Sequence, residues 1–189
     1  NFIDTADVYS SGMSEEITGR AIGARRESIV LATKGRLRMS ADPNDQGACR
    51  RHLTWALDAS LRRLGTDWID LYQIHWPDPS VPLDETLSTL EHFVRSGKIR
   101  YGGLSNHLGW QLQKCVDLCD RYGWAQIASH QPQYSLVSRE IELDSLRVCI
   151  DNDIAVLPWS PLGGGVLTGK YRAADDVPGD TRLSSGEGR

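Results

Sequence analysis

Short apolar runs begin near residues 1, 28, 68, 99, 126 and 154, and a helical pattern of apolar positions follows each of the first five. This β-then-α alternation predicts a parallel sheet covered by helices. The clearest helix is expected over 83–96, where Leu83, Leu87, Leu90 and Val94 form one stripe and Gly97 supplies the stop. Another runs through Leu53, Leu57, Leu61 and Leu64. Ser14 reads as an N-cap, with Glu15 and Glu16 on the positive end of the helix dipole. No linker, internal boundary or low-complexity tract divides residues 1–189, so one domain is expected. Its last segment, 172–189, is polar and rich in Gly, Ser and Asp, and reads as a flexible loop.

The ends of these runs carry the chemistry. Asp4 follows Asn1-Phe2-Ile3, with Tyr9 on the loop beyond it; Lys34 follows the run from Ser28 to Thr33, and His75 follows the run from Ile69 to Ile74. In a parallel α/β barrel the C-terminal strand ends converge on one face, so these four residues would meet there. A lysine ending a buried strand is costly unless paired, and Asp4 is its natural partner. An ammonium beside a phenol favours the phenolate. Such a tyrosine can give a proton to a carbonyl oxygen near neutral pH, with a neutral His75 donating to or orienting that oxygen. A lone Tyr or His at a strand end is ordinary; the conjunction carries the reading.

Composition removes several alternatives. The formal charge of −4 comes without a basic block, so nucleic acid is not an expected partner. No apolar stretch approaches the roughly 18–20 residues of a membrane span, and the N-terminus lacks a signal pattern, so no membrane partner is expected and a soluble cytoplasmic protein is. Cys49, Cys115, Cys119 and Cys149 include no CxxC pair. Cys115 and Cys119, one helical turn apart, read as buried small hydrophobes rather than metal ligands, as reduced thiols of a cytosolic enzyme would. Gly164 to Lys170 fits GxxxxGK, but Tyr171 stands where a P-loop needs Ser or Thr for magnesium, and no sustained helical stripe follows. No GxGxxG with an acid about 20 residues later is present either.

Five blocks spell out a family. Asn-Phe-Ile-Asp-Thr-Ala-Asp-Val-Tyr (1–9), Leu-Ala-Thr-Lys (31–34), Asp-Leu-Tyr-Gln-Ile-His-Trp-Pro-Asp (70–78), Gly-Lys-Ile-Arg-Tyr-Gly-Gly-Leu-Ser-Asn (97–106) and Pro-Trp-Ser-Pro-Leu (158–162) resemble the aldo-keto reductases, in the family's order. The resemblance implies a (β/α)8 TIM barrel that reduces an aldehyde or ketone with a nicotinamide cofactor, NADPH by family habit with NADH left open, and no metal. The chain's six strands then correspond to the family's second through seventh. A complete barrel takes about 250 residues, and Asn1 stands directly in a strand, so the chain reads as a fragment of a longer gene product. On its own, with both mating edges exposed, it would be unstable or aggregation-prone.

The resemblance also assigns residues. Ser105, Asn106 and Gln131 stand where the family hydrogen-bonds the nicotinamide carboxamide, although Ser105 or Asn106 reads equally as an N-cap for a helix beginning near Trp110. His130 replaces an Asn found in many relatives. Trp159 matches the aromatic that stacks under the nicotinamide. Ser160, Leu162, Gly164 and Lys170 lie where the family approaches the pyrophosphate, glycines permitting a close backbone and Lys170 adding charge. Trp76 would wall the substrate pocket, and Trp110 would either join it or pack in a helix interface. The expected partner is a small-molecule carbonyl compound. A reading of a different kind is a cofactor-binding regulatory subunit, because the β-subunits of voltage-gated potassium channels are similar to this branch and keep the same tetrad.

Overall fold

The computed structural model describes residues 1–171. The loop expected over 172–189 lies outside the described residues. Six parallel strands, β1 (Phe2–Asp4), β2 (Val30–Gly35), β3 (Ile69–Ile74), β4 (Ile99–Ser105), β5 (Ile127–Gln131) and β6 (Ala155–Val156), lie side by side in chain order. Helices α1 (Met13–Ile22), α2 (Arg50–Leu64), α3 (Leu83–Arg95), α4 (Gly109–Tyr122) and α5 (Ser145–Asp151) fill the crossovers. A parallel sheet that never reverses its order is the arrangement of a β/α barrel rather than of a doubly wound sheet. The molecule is therefore an incomplete α/β barrel, with β1 and β6 at its two edges.

The core lies between strands and helices. Leu53, Leu57 and Leu64 of α2 and Leu87, Leu90 and Phe93 of α3 are buried against Leu31, Ile69, Tyr72, Ile74 and Leu104 of the sheet. Leu61, Leu83 and Val94 pack partly buried at the rim of that core. Each fully buried Leu contributes about 1.5–3 kcal/mol of transfer free energy, which is why the stripes predict these helices well. Gly97 follows the end of α3 with φ of +75°, a left-handed position that glycine takes without Cβ strain.

Three local expectations change. Ser14 does not cap α1: the helix starts at Met13, Gly12 is its N-cap, and Ser14 Oγ lies 2.8 Å from Thr5 Oγ1 instead. Nor do Ser105 or Asn106 cap α4, whose N-cap is Leu108, with the Gln111 side chain accepting from the Leu108 N–H at 2.9 Å. Trp110 is 61% exposed on α4 and forms no buried helix interface. Cys115 and Cys119 are buried as expected, Cys149 is buried as well, and burial pushes their thiols up to about 12, 11 and 11. Among the described residues no helix is long and apolar enough to cross a membrane.

Candidate active site

Alternation along the strands sorts polar side chains to two sides. On β2, Thr33 faces the helices and bonds Glu15 of α1, whereas Lys34 points into the barrel. There its ammonium donates to Asp4 Oδ2 at 2.6 Å and to the Thr5 carbonyl at 2.7 Å. Lys34 is fully buried while the Asp4 side chain keeps 28% exposure, so the pair closes the floor of an open mouth. On β3, Gln73 faces the same interior: its Nε2 donates to Asp4 Oδ1 at 3.2 Å, and its Oε1 accepts from Ser129 of β5 at 3.4 Å. Gly103 of β4 makes room for this chain, since a Cβ there would stand 2.3 Å from Ser129 Oγ.

Above that floor Tyr9 and His75 meet edge to face, with ring centroids 5.8 Å apart and planes at 79°. Lys34 Nζ lies 5.1 Å from the centre of the Tyr9 ring. Burial first, then the charges of Lys34 and Arg36, bring the His75 imidazole down to about 4, so it is neutral at physiological pH. The loop after β1 delivers Tyr9: Thr5 and Asp7 donate backbone bonds to Ala32 and Lys34 at 3.0 and 3.1 Å, continuing the strand pairing past Asp4.

A cavity of about 330 Å³ opens over these groups, lined by Tyr9, His75, Trp76, Ser105, Asn106, Gln131, Trp159 and Ser160. Ser105 Oγ donates to the Gln131 carbonyl at 2.7 Å. Asn106 is tied at both ends, donating to the His75 carbonyl and to Ser105 Oγ at 3.0 Å each and accepting from Trp159 Nε1 at 2.9 Å. Among the described residues six non-glycine positions have positive φ, and five of them follow strand ends at this mouth: Ser10, Ser11, Arg36, Asn106 and Ser160. Left-handed backbone costs such residues about 1–2 kcal/mol each, and strain of this kind clusters at functional sites.

The sequence-derived set thus divides. Asp4, Tyr9, Lys34 and His75 converge, and Trp76, Ser105, Asn106, Gln131, Trp159 and Ser160 line the cavity beside them. Leu162, Gly164 and Lys170 do not line it; they belong to the turn after Ser160, where Lys170 Nζ sits 5.1 Å from the Tyr171 ring. That turn is a 3-10 segment broken by left-handed Gly164 and Gly165, not the opening of a P-loop helix. His130 is turned away from the cavity, with Nδ1 3.9 Å from Cys149 Sγ of α5. Gln73 and Ser129 escaped the sequence reading; a polar residue two positions before His75, inside an apolar strand, was the available signal.

A family model described as "Aldo/keto reductase family" matches residues 1–186. The chain belongs to the aldo/keto reductase family. Among curated relatives, it is 36% identical to a probable voltage-gated potassium channel subunit beta of Arabidopsis thaliana, over 97% of this chain and 57% of that protein. It is 37% identical to the versiconal hemiacetal acetate reductase of Aspergillus parasiticus, over 87% of this chain and 53% of the relative. Similarity to the L-glyceraldehyde 3-phosphate reductase of Escherichia coli O157:H7 is 33% identity, over 95% and 53% respectively. The chain therefore spans about half the length of these relatives. Aldo/keto reductases as a family act on small carbonyl compounds with nicotinamide cofactors.

The cavity fits the nicotinamide end of such a cofactor. Among the described residues the Gln131 side-chain amide lines the cavity with no hydrogen-bond partner of its own, while Ser105 and Asn106 stand beside it. An unpaired amide in a concave site matches a carboxamide's donor and acceptor. The Trp159 indole, fixed through its N–H, presents a flat apolar surface next to them.

Proposed function

We propose that the full-length protein carrying this chain is an NADPH-dependent reductase of aldehydes or ketones, working in the cytoplasm, with Tyr9 as general acid. The observation that carries this reading is the conjunction at one mouth: Tyr9 over a buried Lys34 paired with a partly exposed Asp4, with a neutral His75 at its edge. When bound, the reduced nicotinamide supplies hydride. Gln131, Ser105 and Asn106 hold its carboxamide, Trp159 supports the ring, and Ser160 with the turn carrying Leu162, Gly164 and Lys170 approaches the phosphates. His75 orients the carbonyl oxygen, Trp76 walls the substrate side, and Tyr9 delivers the proton to that oxygen. Lys34, held by Asp4, favours the phenolate that remains.

Tryptophan fluorescence tests the cofactor half. NADPH is expected to quench it saturably, because Trp76 and Trp159 line the cavity; no quenching by NADPH or NADH would remove the cofactor assignment. Gln73→Leu tests the floor. Loss of one hydrogen bond to a charged group costs about 1.5–3 kcal/mol, discounted here because Asp4 keeps 28% side-chain exposure. A fall in kcat of about tenfold with KM for cofactor unchanged is the expected result. Equal kcat in the variant would confine Gln73 to packing.

The second reading, a cofactor-binding regulatory subunit, draws on the similarity to the Arabidopsis potassium channel subunit beta. Fast turnover of a simple aldehyde by a monomer would exclude it, and a slowly turning tetramer that co-purifies with a channel would favour it.

A further inference from the structure

Behind Lys34, on the side of β2 that faces the helices, lies a buried cluster of ionisable groups that the proposed chemistry leaves unused. Asp7 is completely buried, and neither of its carboxyl oxygens has a hydrogen-bond partner among the described residues. Its neighbour Glu15 is as deeply buried but fully matched, accepting from Thr33 Oγ1 at 2.6 Å and Arg63 Nε at 2.7 Å. The Tyr72 hydroxyl is buried and unpartnered as well. It lies near Asp7 across Gly35, where an added Cβ would be 2.0 Å from Tyr72 Oη and 3.4 Å from Asp7 Oδ2.

The groups facing Asp7 are Glu15 of α1, Arg63 of α2, Tyr72 of β3, Asp45 of the loop before α2 and the Val8 N–H. Arg63 is committed to Glu15, and among the described residues no ion pair reaches Asp7. An ionised Asp7 here would lack the pairing that a buried charge requires, whereas the neutral acid is tolerated. Burial and then Glu15 push Asp7 up to about 7, against the opposing pull of Val8 and Arg63.

Asp7 also sits in the segment that sets the catalytic geometry, between Asp4 and Tyr9. Its N–H donates to the Lys34 carbonyl at 3.1 Å, and Tyr9 N–H bonds back to Ala6 at 3.2 Å. Tyr9 is 42% exposed, so its placement depends on this backbone more than on side-chain packing. We propose that Asp7 is a positioning residue: protonated, it seats the segment from Asp4 to Tyr9 against β2, and its ionisation unseats that segment and misplaces Tyr9.

The inference rests on the reductase reading for its kinetic arm only. In the full-length protein, kcat for carbonyl reduction should be about tenfold lower at pH 8 than at pH 6, as for a single proton lost near neutrality. Asp7→Asn, neutral at every pH and nearly isosteric, should hold kcat level over that range. The thermal arm needs no substrate. A folded Asp7 keeps a proton that the unfolded chain has released, so wild-type Tm, relative to Asp7→Asn, should fall as pH rises from about 4 to about 7 and then level off. Should Asp7→Asn not fold, infrared spectra of the wild type decide: a buried protonated carboxyl band should be present at pH 6 and absent above pH 8. No such band, or a pH-independent Tm difference, overturns the titration. A clear Tm slope with matching kcat profiles overturns the positioning role. A protein that reduces no carbonyl sinks the reductase reading, while the thermal and infrared arms still judge Asp7.

Discussion

Tyr9→Phe in the full-length protein is expected to lower carbonyl reduction by about 10²- to 10⁴-fold, the usual contribution of a positioned general acid. The ring should keep its edge contact with His75 and its place over Lys34, since both involve the aromatic body and not the hydroxyl. Cofactor affinity should then be unchanged, because the groups assigned to the carboxamide are Ser105, Asn106 and Gln131. Single-turnover rates with bound NADPH, beside fluorescence titration of the cofactor, separate the two effects. A variant that reduces aldehydes at the parent's rate would remove Tyr9 from the mechanism.

Lys34→Met should have the second largest effect, a loss in kcat of about 10²-fold or more. The ammonium occupies a fully buried position with donors fitted to Asp4 and Thr5 at 2.6 and 2.7 Å. Methionine fills the volume but removes the cation that favours the phenolate. Breaking a buried pair costs about 3–5 kcal/mol, but Asp4 is 28% exposed and retains the Gln73 donor, so the stability loss should be smaller. Lys34→Arg should not restore activity, because a planar fork does not reproduce a point charge donating to both Asp4 Oδ2 and the Thr5 carbonyl from a fully buried position. A wild-type rate in either variant would contradict the role given to the cation.

Much of this architecture could be read before any coordinates. The apolar runs preceding Asp4, Lys34 and His75 mark strands because they are short, rich in Ile, Val and Leu, and each is followed by a separate helical stripe. The stripes of α2 and α3 mark helices because their spacing matches one buried face. Helix starts were less legible. Ser14 has the residue type of a cap, but Ser10, Ser11 and Gly12 after Tyr9 take left-handed backbone, Gly12 becomes the N-cap, and the helix begins at Met13. Ser105 and Asn106 are likewise held by Gln131, His75 and Trp159, contacts made across strands and invisible to local propensity.

The identities of Asp4, Tyr9, Lys34 and His75 and their places at strand ends are determined by the sequence itself, because strand periodicity and barrel topology together bring such positions to one mouth. Family membership follows from the order of five motifs for the same reason. Only the tertiary structure decided which polar groups are matched. Gln73 and Ser129 acquire meaning because alternate residues of β3 and β5 face a shared interior, where Gln73 reaches Asp4 and Ser129 reaches Gln73. Glu15 is matched, and Asp7 beside it is not, because one arginine from α2 reaches only one of the two carboxylates. Pairing of buried charge depends on distances of a few ångströms between segments far apart in the chain, and a one-dimensional pattern does not contain them.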